Sequence, residues 1–299
     1  MKRAGHVLDT SLPYESRPDA KRRIRFTQDE RGVEASNADG ALAVVAHAAH
    51  DRTGKHKVTH SVGFAIRPPG LSDGEAVYVT CAHTLEEIRH DPLVRTTRPS
   101  SAAALEKLRS GSFVISDTDT HAAAGPAPTF SRVSSVLSAM HRGDLLLLST
   151  PQPRLPPTPS PGLRSLPVNP YPVHPGAAIR AHFVADKPPS GADRDGWTPW
   201  VGGTWRKWVR GTVVGYRDYA GREAKPGTYD ALAHLHFEPP PTPGSSGGPI
   251  VDEESGSVIG VVLGNQLVNQ VEGVRGWGVP AEMIFEMFSL PGLKLKSRP

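Results

Sequence analysis

The chain has 299 residues, 30 of them glycine and 30 proline, with 37% hydrophobic and 21% charged residues. Glycine and proline make up about a fifth of it, against an ordinary sum of roughly 12%, which excludes a helical bundle, while the apolar share is enough for one large domain or two fused lobes and excludes overall disorder. Lys and Arg number 34 against 30 Asp and Glu, a formal charge of +4, too mild an excess to argue for a nucleic-acid partner.

The single cysteine, Cys81, excludes an intrachain disulfide and fits a reducing compartment. No run approaches about 18 apolar residues. The start, Met1 to Ser11, has no apolar stretch, and Asp9, Glu15 and Asp19 argue against a mitochondrial presequence. The expectation is a soluble intracellular chain without membrane contact, cytoplasmic rather than nuclear or mitochondrial.

Residues 1–38 are polar, carry the basic cluster Lys21, Arg22, Arg23 and Arg25, and show no apolar periodicity, so they read as a flexible N-terminal extension. From 39 to 150 short apolar runs alternate with Gly, Pro and polar clusters: Leu42–Ala46, Val62–Ile66, Ala76–Thr80, Phe113–Ser116 and Leu145–Ser149. Such runs read as strands. One helix is expected over Ala102–Arg109, capped by Ser100 or Ser101 and ended by Gly111.

Residues 151–176 hold prolines at a density that leaves few backbone donors for a sheet, and read as a linker between two lobes. Strand-like runs resume over 177–290 at Ala178–Ala185, Gly211–Tyr216, Ala231–Phe237, Pro249–Asp252, Val258–Gly264 and Gly276–Val279. Met283, Ile284, Met287 and Phe288 then share one helical face, expected to pack back on the second lobe ahead of a tail at 291–299. The fold expected is all-β: two antiparallel six-stranded barrels with a short C-terminal helix.

The segment Gly244-Ser245-Ser246-Gly247-Gly248-Pro249 carries the sharpest chemical signal. A serine hemmed by glycines sits on backbone free to adopt unusual dihedrals, and the N–H groups of Gly244 and Ser246 can converge on one point as an oxyanion hole. A serine hydroxyl needs a base, for which histidine is suited by its near-neutral pKa. Among the 13 histidines, His83 stands out at the exit of the apolar run Val77–Thr80, in Thr80-Cys81-Ala82-His83. Asp144, heading Leu145-Leu146-Leu147-Leu148, fits the carboxylate that orients the imidazole, with Asp117 and Asp119 as rivals in a polar stretch.

These segments, in the chain order His, Asp, Ser, resemble the trypsin-like (chymotrypsin-fold) serine peptidases. Ser61–Ile66 and Gly276–Pro280 resemble strands of the HtrA-type branch, although about ten residues after the terminal helix leave no room for a PDZ module. The resemblance covers about residues 40–288. It implies that His83 is general base and acid, Asp144 orients it, Ser246 is the nucleophile, and Gly244 and Ser246 hold the oxyanion. It also implies a peptide or protein substrate, an acyl-enzyme intermediate, and neither metal nor cofactor. Ser245 stands where secreted relatives carry the aspartate that pairs with a newly cut N-terminus, so no zymogen cleavage is expected. Pro240 stands at the expected pocket base, and the pocket walls, including Gly264, Asn265 and Trp277, read as neutral, which implies an uncharged side chain on the acyl side of the cleaved bond. A second reading is a catalytically silent module that binds peptides or a partner protein.

The inserts at 86–111 and 186–210 match nothing in the family. Trp197, Trp200, Trp205 and Trp208, interleaved with Arg206, Lys207 and Arg210, read as packing on the second barrel rather than stacking on bases. His234 and His236 share a strand face at i, i+2 but have no third ligand in sequence, so no metal site is expected.

Overall fold

A computed structural model describes residues 18, 20–28, 34–68, 74–95, 108–117, 128–151, 162–190 and 196–289. Two short strands, β1 (Phe26–Gln28) and β2 (Glu34–Ser36), pair antiparallel within the stretch read as a flexible extension. They lie on the second lobe: the Phe26 ring meets Trp208 edge-on at 5.1 Å, and Arg180 sits over Phe26 while ion-paired to Glu34 and Glu253. Sequence reading missed this because three-residue strands carry no periodicity.

The first lobe contains β3 (Leu42–Asp51), β4 (His56–Ile66), β5 (Glu75–Cys81), β6 (Leu108–Asp117), β7 (Pro128–Arg132), β8 (Ser135–Met140) and β9 (Leu145–Pro151), in the antiparallel order β7-β6-β3-β4-β5-β9-β8. The sheet curls because the link between β7 and β8 reaches both of its halves: the Val133 N–H donates to the Ser112 carbonyl at 2.9 Å and the Ser134 N–H to that of Ser149 at 2.7 Å. In β9 all four leucines are buried, with Leu145 and Leu147 in one apolar cluster and Leu146 and Leu148 in another. Alternating side chains thus fill both faces of the strand, and at roughly 1.5–3 kcal/mol per buried leucine they fix β9, and with it Asp144.

The second lobe contains β10 (Ala178–Ala185), β11 (Thr198–Pro199), β12 (Trp205–Arg217), β13 (Glu223–Ala224), β14 (His234–Glu238), β15 (Pro249–Asp252), β16 (Ser257–Asn269) and β17 (Gly273–Pro280). The order β10-β15-β16-β17-β14-β12 closes on itself because β12 also pairs with β10. Inside this six-stranded barrel lie Phe183, Val213, Leu235, Phe237, Ile250 and Val262. The architecture is thus the expected β double barrel; the described residues include the helices α1 (His83–His90), α2 (Pro92–Arg95) and α3 (Glu282–Ser289).

Two expectations change. Leu108 and Arg109 open β6, so the helix read over Ala102–Arg109 cannot include them; Gly111 sits mid-strand opposite Ala48 rather than at a helix end. Residues 102–107 lie outside the described residues. Local capping signals lose here to the hydrogen-bond ladder with β3. Helix α3 touches both lobes rather than the second alone: Arg142 pairs with Glu286 at 2.6 Å, and α3 packs on β8 as well as β17.

The described half of the proline-rich stretch also packs between lobes. The Leu166 N–H donates to the Ala65 carbonyl at 2.8 Å and the Val258 N–H to that of Pro167 at 2.9 Å, while Leu166 and Val168 are buried. In the second insert Trp200 and Trp208 are buried and flank the His182 ring edge-on at 5.3 and 5.0 Å, the packing role the sequence favoured. Among the described residues no helix is long and apolar enough to cross a membrane.

Candidate active site

His83 begins α1 directly after β5, and Asp144 directly precedes β9. Because β5 pairs with β9 and Cys81 lies opposite Leu145, the two residues leave the sheet side by side. The Asp144 carboxylate then accepts three donors: His83 Nδ1 at 2.5 Å, the His83 N–H at 2.7 Å and the Ala82 N–H at 3.0 Å. Asp144 achieves this in a left-handed conformation, φ 50° and ψ 37°, a placement that costs about 1–3 kcal/mol for a residue other than glycine. Charge-assisted hydrogen bonds at roughly 1.5–3 kcal/mol each outweigh that cost.

This pairing pushes the His83 pKa up to about 10, first through the Asp144 hydrogen bond and next through the Cys81 sulfur, against the opposing effect of burial. Its Nε2 lies 3.7 Å from Cys81 Sγ. Asp119, one of the rival carboxylates, lies outside the described residues, and Asp117 ends β6, which pairs with β3 and β7 rather than with β5.

Ser246 lies on the turn ahead of β15, held against the first lobe. Its carbonyl accepts the Val62 N–H at 2.8 Å, and Val62 follows Ser61, whose hydroxyl meets Thr84, next to His83, at 3.3 Å. Gly247 has φ +85°, and a Cβ there would fall 2.0 Å from the Val62 carbonyl oxygen and 2.7 Å from Thr80 Oγ1. Only glycine lets the turn approach β4 and β5, the strands that lead to His83. The Ser246 hydroxyl, however, donates to the Leu263 carbonyl at 2.9 Å. The structure thus brings His83 and Asp144 into contact and sets Ser246 at the lobe junction, with its hydroxyl turned to β16.

The turn itself is pinned by neutral groups. Ser245 is buried, its hydroxyl accepts the Val184 N–H at 3.0 Å, and Thr242 Oγ1 donates to the Val184 carbonyl at 2.8 Å. Gly244 has φ +95°. Among the described residues, no protein acceptor takes the Gly244 or Ser246 N–H, whereas the Ser245, Gly247 and Gly248 N–H groups are all engaged. Across the cleft beside this turn, His60 Nε2 meets Asp186 Oδ1 at 3.0 Å and joins the two lobes.

The residues expected to bind substrate adjoin Leu263: Gly264 pairs with Trp277 and Asn265 with Gly276 across β16 and β17. Beside them Arg275 and Glu238 form an ion pair. Strand alternation puts Arg275 on the face of Trp277, two residues on. His234 and His236 share that face, with Trp277 edge-on to His234 at 5.2 Å.

A family profile described as the trypsin-like peptidase domain matches residues 62–261, about two thirds of the chain. The chain belongs to the trypsin-like peptidase family. Among solved structures it is similar to Deg5, at 16% identity over 81% of this chain and 85% of that one with a TM-score of 0.42. It is also similar to the MamO protease domain from Magnetospirillum magneticum, at 14% identity over 84% and 96% with a TM-score of 0.43. A third is the protease Anisep from Arthrobacter nicotinovorans, at 12% identity over 84% and 95% with a TM-score of 0.45. A search of curated protein sequences finds no match.

Proposed function

We propose that this trypsin-like peptidase is a serine endopeptidase in which His83, Asp144 and Ser246 act as one unit. The observation that carries the reading is the Asp144 carboxylate, which receives His83 Nδ1 and two backbone N–H groups. With Nδ1 so held, only Nε2 is left to move a proton. Rotation of the Ser246 hydroxyl away from Leu263 brings its proton to a neutral His83 Nε2, and the oxygen attacks the scissile carbonyl. The N–H groups of Gly244 and Ser246 hold the resulting oxyanion. His83 passes the proton to the departing amine, and water, deprotonated by the same Nε2, then releases the acyl group from Ser246.

The hydroxyls of Thr242 and of buried Ser245 order the oxyanion turn without a charged partner, so the uncut chain is competent. A silent peptide-binding module is the second reading, favoured by the Ser246–Leu263 hydrogen bond and by the Cys81 sulfur at Nε2. Treatment of the intact chain with a fluorophosphonate separates the two. The peptidase reading expects stoichiometric labelling that maps to Ser246. Absence of labelling, or labelling only after removal of residues 1–38, contradicts it.

A further inference from the structure

Among the described residues, the outer face of the second barrel beside Ser246 carries donors without an acceptor. Leu235 and Phe237 fill the barrel interior, so His234, His236 and Glu238 alternate outward on β14. Opposite them, His236 pairs with Trp277, and Arg275 reaches Glu238. On β16, Gly264 lies opposite Trp277 and Gln266 opposite Arg275. This face begins at the nucleophile, because the carbonyl of Leu263, the residue before Gly264, holds the Ser246 hydroxyl. A Cβ on Gly264 would meet nothing within 4 Å, so the space in front of it is open.

Four nitrogens on this face are buried with no hydrogen-bond partner among the described residues: His234 Nδ1, His236 Nε2, Trp277 Nε1 and Arg275 Nε. The Trp277 and Arg275 atoms can only donate, and a buried donor without an acceptor is unfavourable. The resident ion pair shows that Arg275 accommodates a carboxylate on its Nη side; its Nε side is the unused half of a two-sided fork. The charges facing His236 are those of Arg217, Arg275 and Glu272, with His234 beside it. With Glu238 included they balance, so unpaired donors rather than net charge set the preference. An amide side chain would add donors to a face already short of acceptors. A lysine or arginine side chain would add further donors, and the Glu238 carboxylate is already held by Arg275.

We propose that this face is the subsite for the side chain on the acyl side of the scissile bond, and that it takes a carboxylate, glutamate before aspartate. The longer side chain follows from the span, since Trp277 and His236 lie one and two strand spacings, roughly 5 and 10 Å, from Gly264. The proposal deepens the peptidase reading and rests on it for the direction of the peptide.

Its test is a binding measurement that needs no turnover. Ser246→Ala protein is titrated with peptides identical except for Glu, Gln, Ala or Lys at one central position. The expected result is that the Glu peptide binds about tenfold tighter than the Gln peptide, with the Lys peptide weakest. Trp277→Phe and Arg275→Gln, each added to that background and shown folded by circular dichroism, shrink the Glu-to-Gln ratio to about twofold or less. Equal binding of Glu and Gln peptides, tighter binding of Lys, no binding of any peptide, or a ratio that survives both substitutions overturns the proposal. Failure of fluorophosphonate labelling with the Glu preference intact removes turnover and leaves the subsite.

Discussion

In the first lobe His83 and Asp144, the proposed base and its carboxylate, are already in contact at 2.5 Å, held by backbone N–H groups and a left-handed aspartate. In the second lobe Ser246, the proposed nucleophile, is on a well-pinned turn, but its hydroxyl is engaged by a strand carbonyl 2.9 Å away. The contrast follows from what each lobe has to fix. An imidazole has two functional nitrogens and needs its ring plane set, which takes several partners. A serine hydroxyl turns about one torsion, so the protein needs to fix only its backbone. One half of the site is thus preorganised to the side chain, the other only to the main chain.

The largest expected effect comes from the preorganised half. Asp144→Asn keeps the size of the side chain but replaces one carboxylate oxygen with an amide group, so the imidazole loses its oriented tautomer. Turnover of a peptide substrate should fall by about four powers of ten with KM little changed. A loss of less than about tenfold would mean that the carboxylate serves only the chain geometry.

The next effect tests the main-chain half. Gly247→Ala puts a methyl group 2.0 Å from the Val62 carbonyl oxygen at φ +85°, and should lower stability by about 3 kcal/mol, seen as a drop in Tm of roughly 5–10 °C. Gly54, with φ +86° but nothing within 4 Å, is the control; its alanine variant should lose only about 1 kcal/mol. Equal losses at both positions would show that the turn does not depend on close approach to the first lobe.

The smallest effect is on pH. With a pKa pushed up to about 10, chiefly by Asp144, His83 is a cation at neutral pH, and hydrolysis needs it neutral. The rate should therefore rise with pH beyond the ordinary histidine range near 6.5. The residual activity of Asp144→Asn should level off at lower pH. The linked stability has the same sign: the raised folded pKa stabilises the fold fully below about 6.5, and that contribution fades as pH rises through about 10. An inflection at the same pH in wild type and Asp144→Asn would show that the pair does not set the titration.

Much of this was legible in the sequence, for identifiable reasons. The four leucines after Asp144 announced a strand buried on both faces, and that strand is what carries the carboxylate to His83. Glycines flanking Ser246 announced a tight approach, although what they approach, the Val62 carbonyl and Thr80, depends on long-range packing. Strand β6 was missed at its start because its partner, β3, lies some 60 residues earlier and the local residues favour a helix. The Arg275–Glu238 pair was missed because it spans two strands whose register no local pattern fixes. Cys81 at His83 Nε2 was equally out of reach, since an i, i+2 contact depends on the turn from β5 into α1.

Whether the two halves act as one catalytic unit is read by a double-mutant cycle. Peptide hydrolysis is measured for His83→Ala, Ser246→Ala and the double variant. Each single change should remove several powers of ten, and the double variant should be no worse than the more damaging single. Losses that add on a logarithmic scale, or a His83→Ala enzyme near wild type, would contradict that unit.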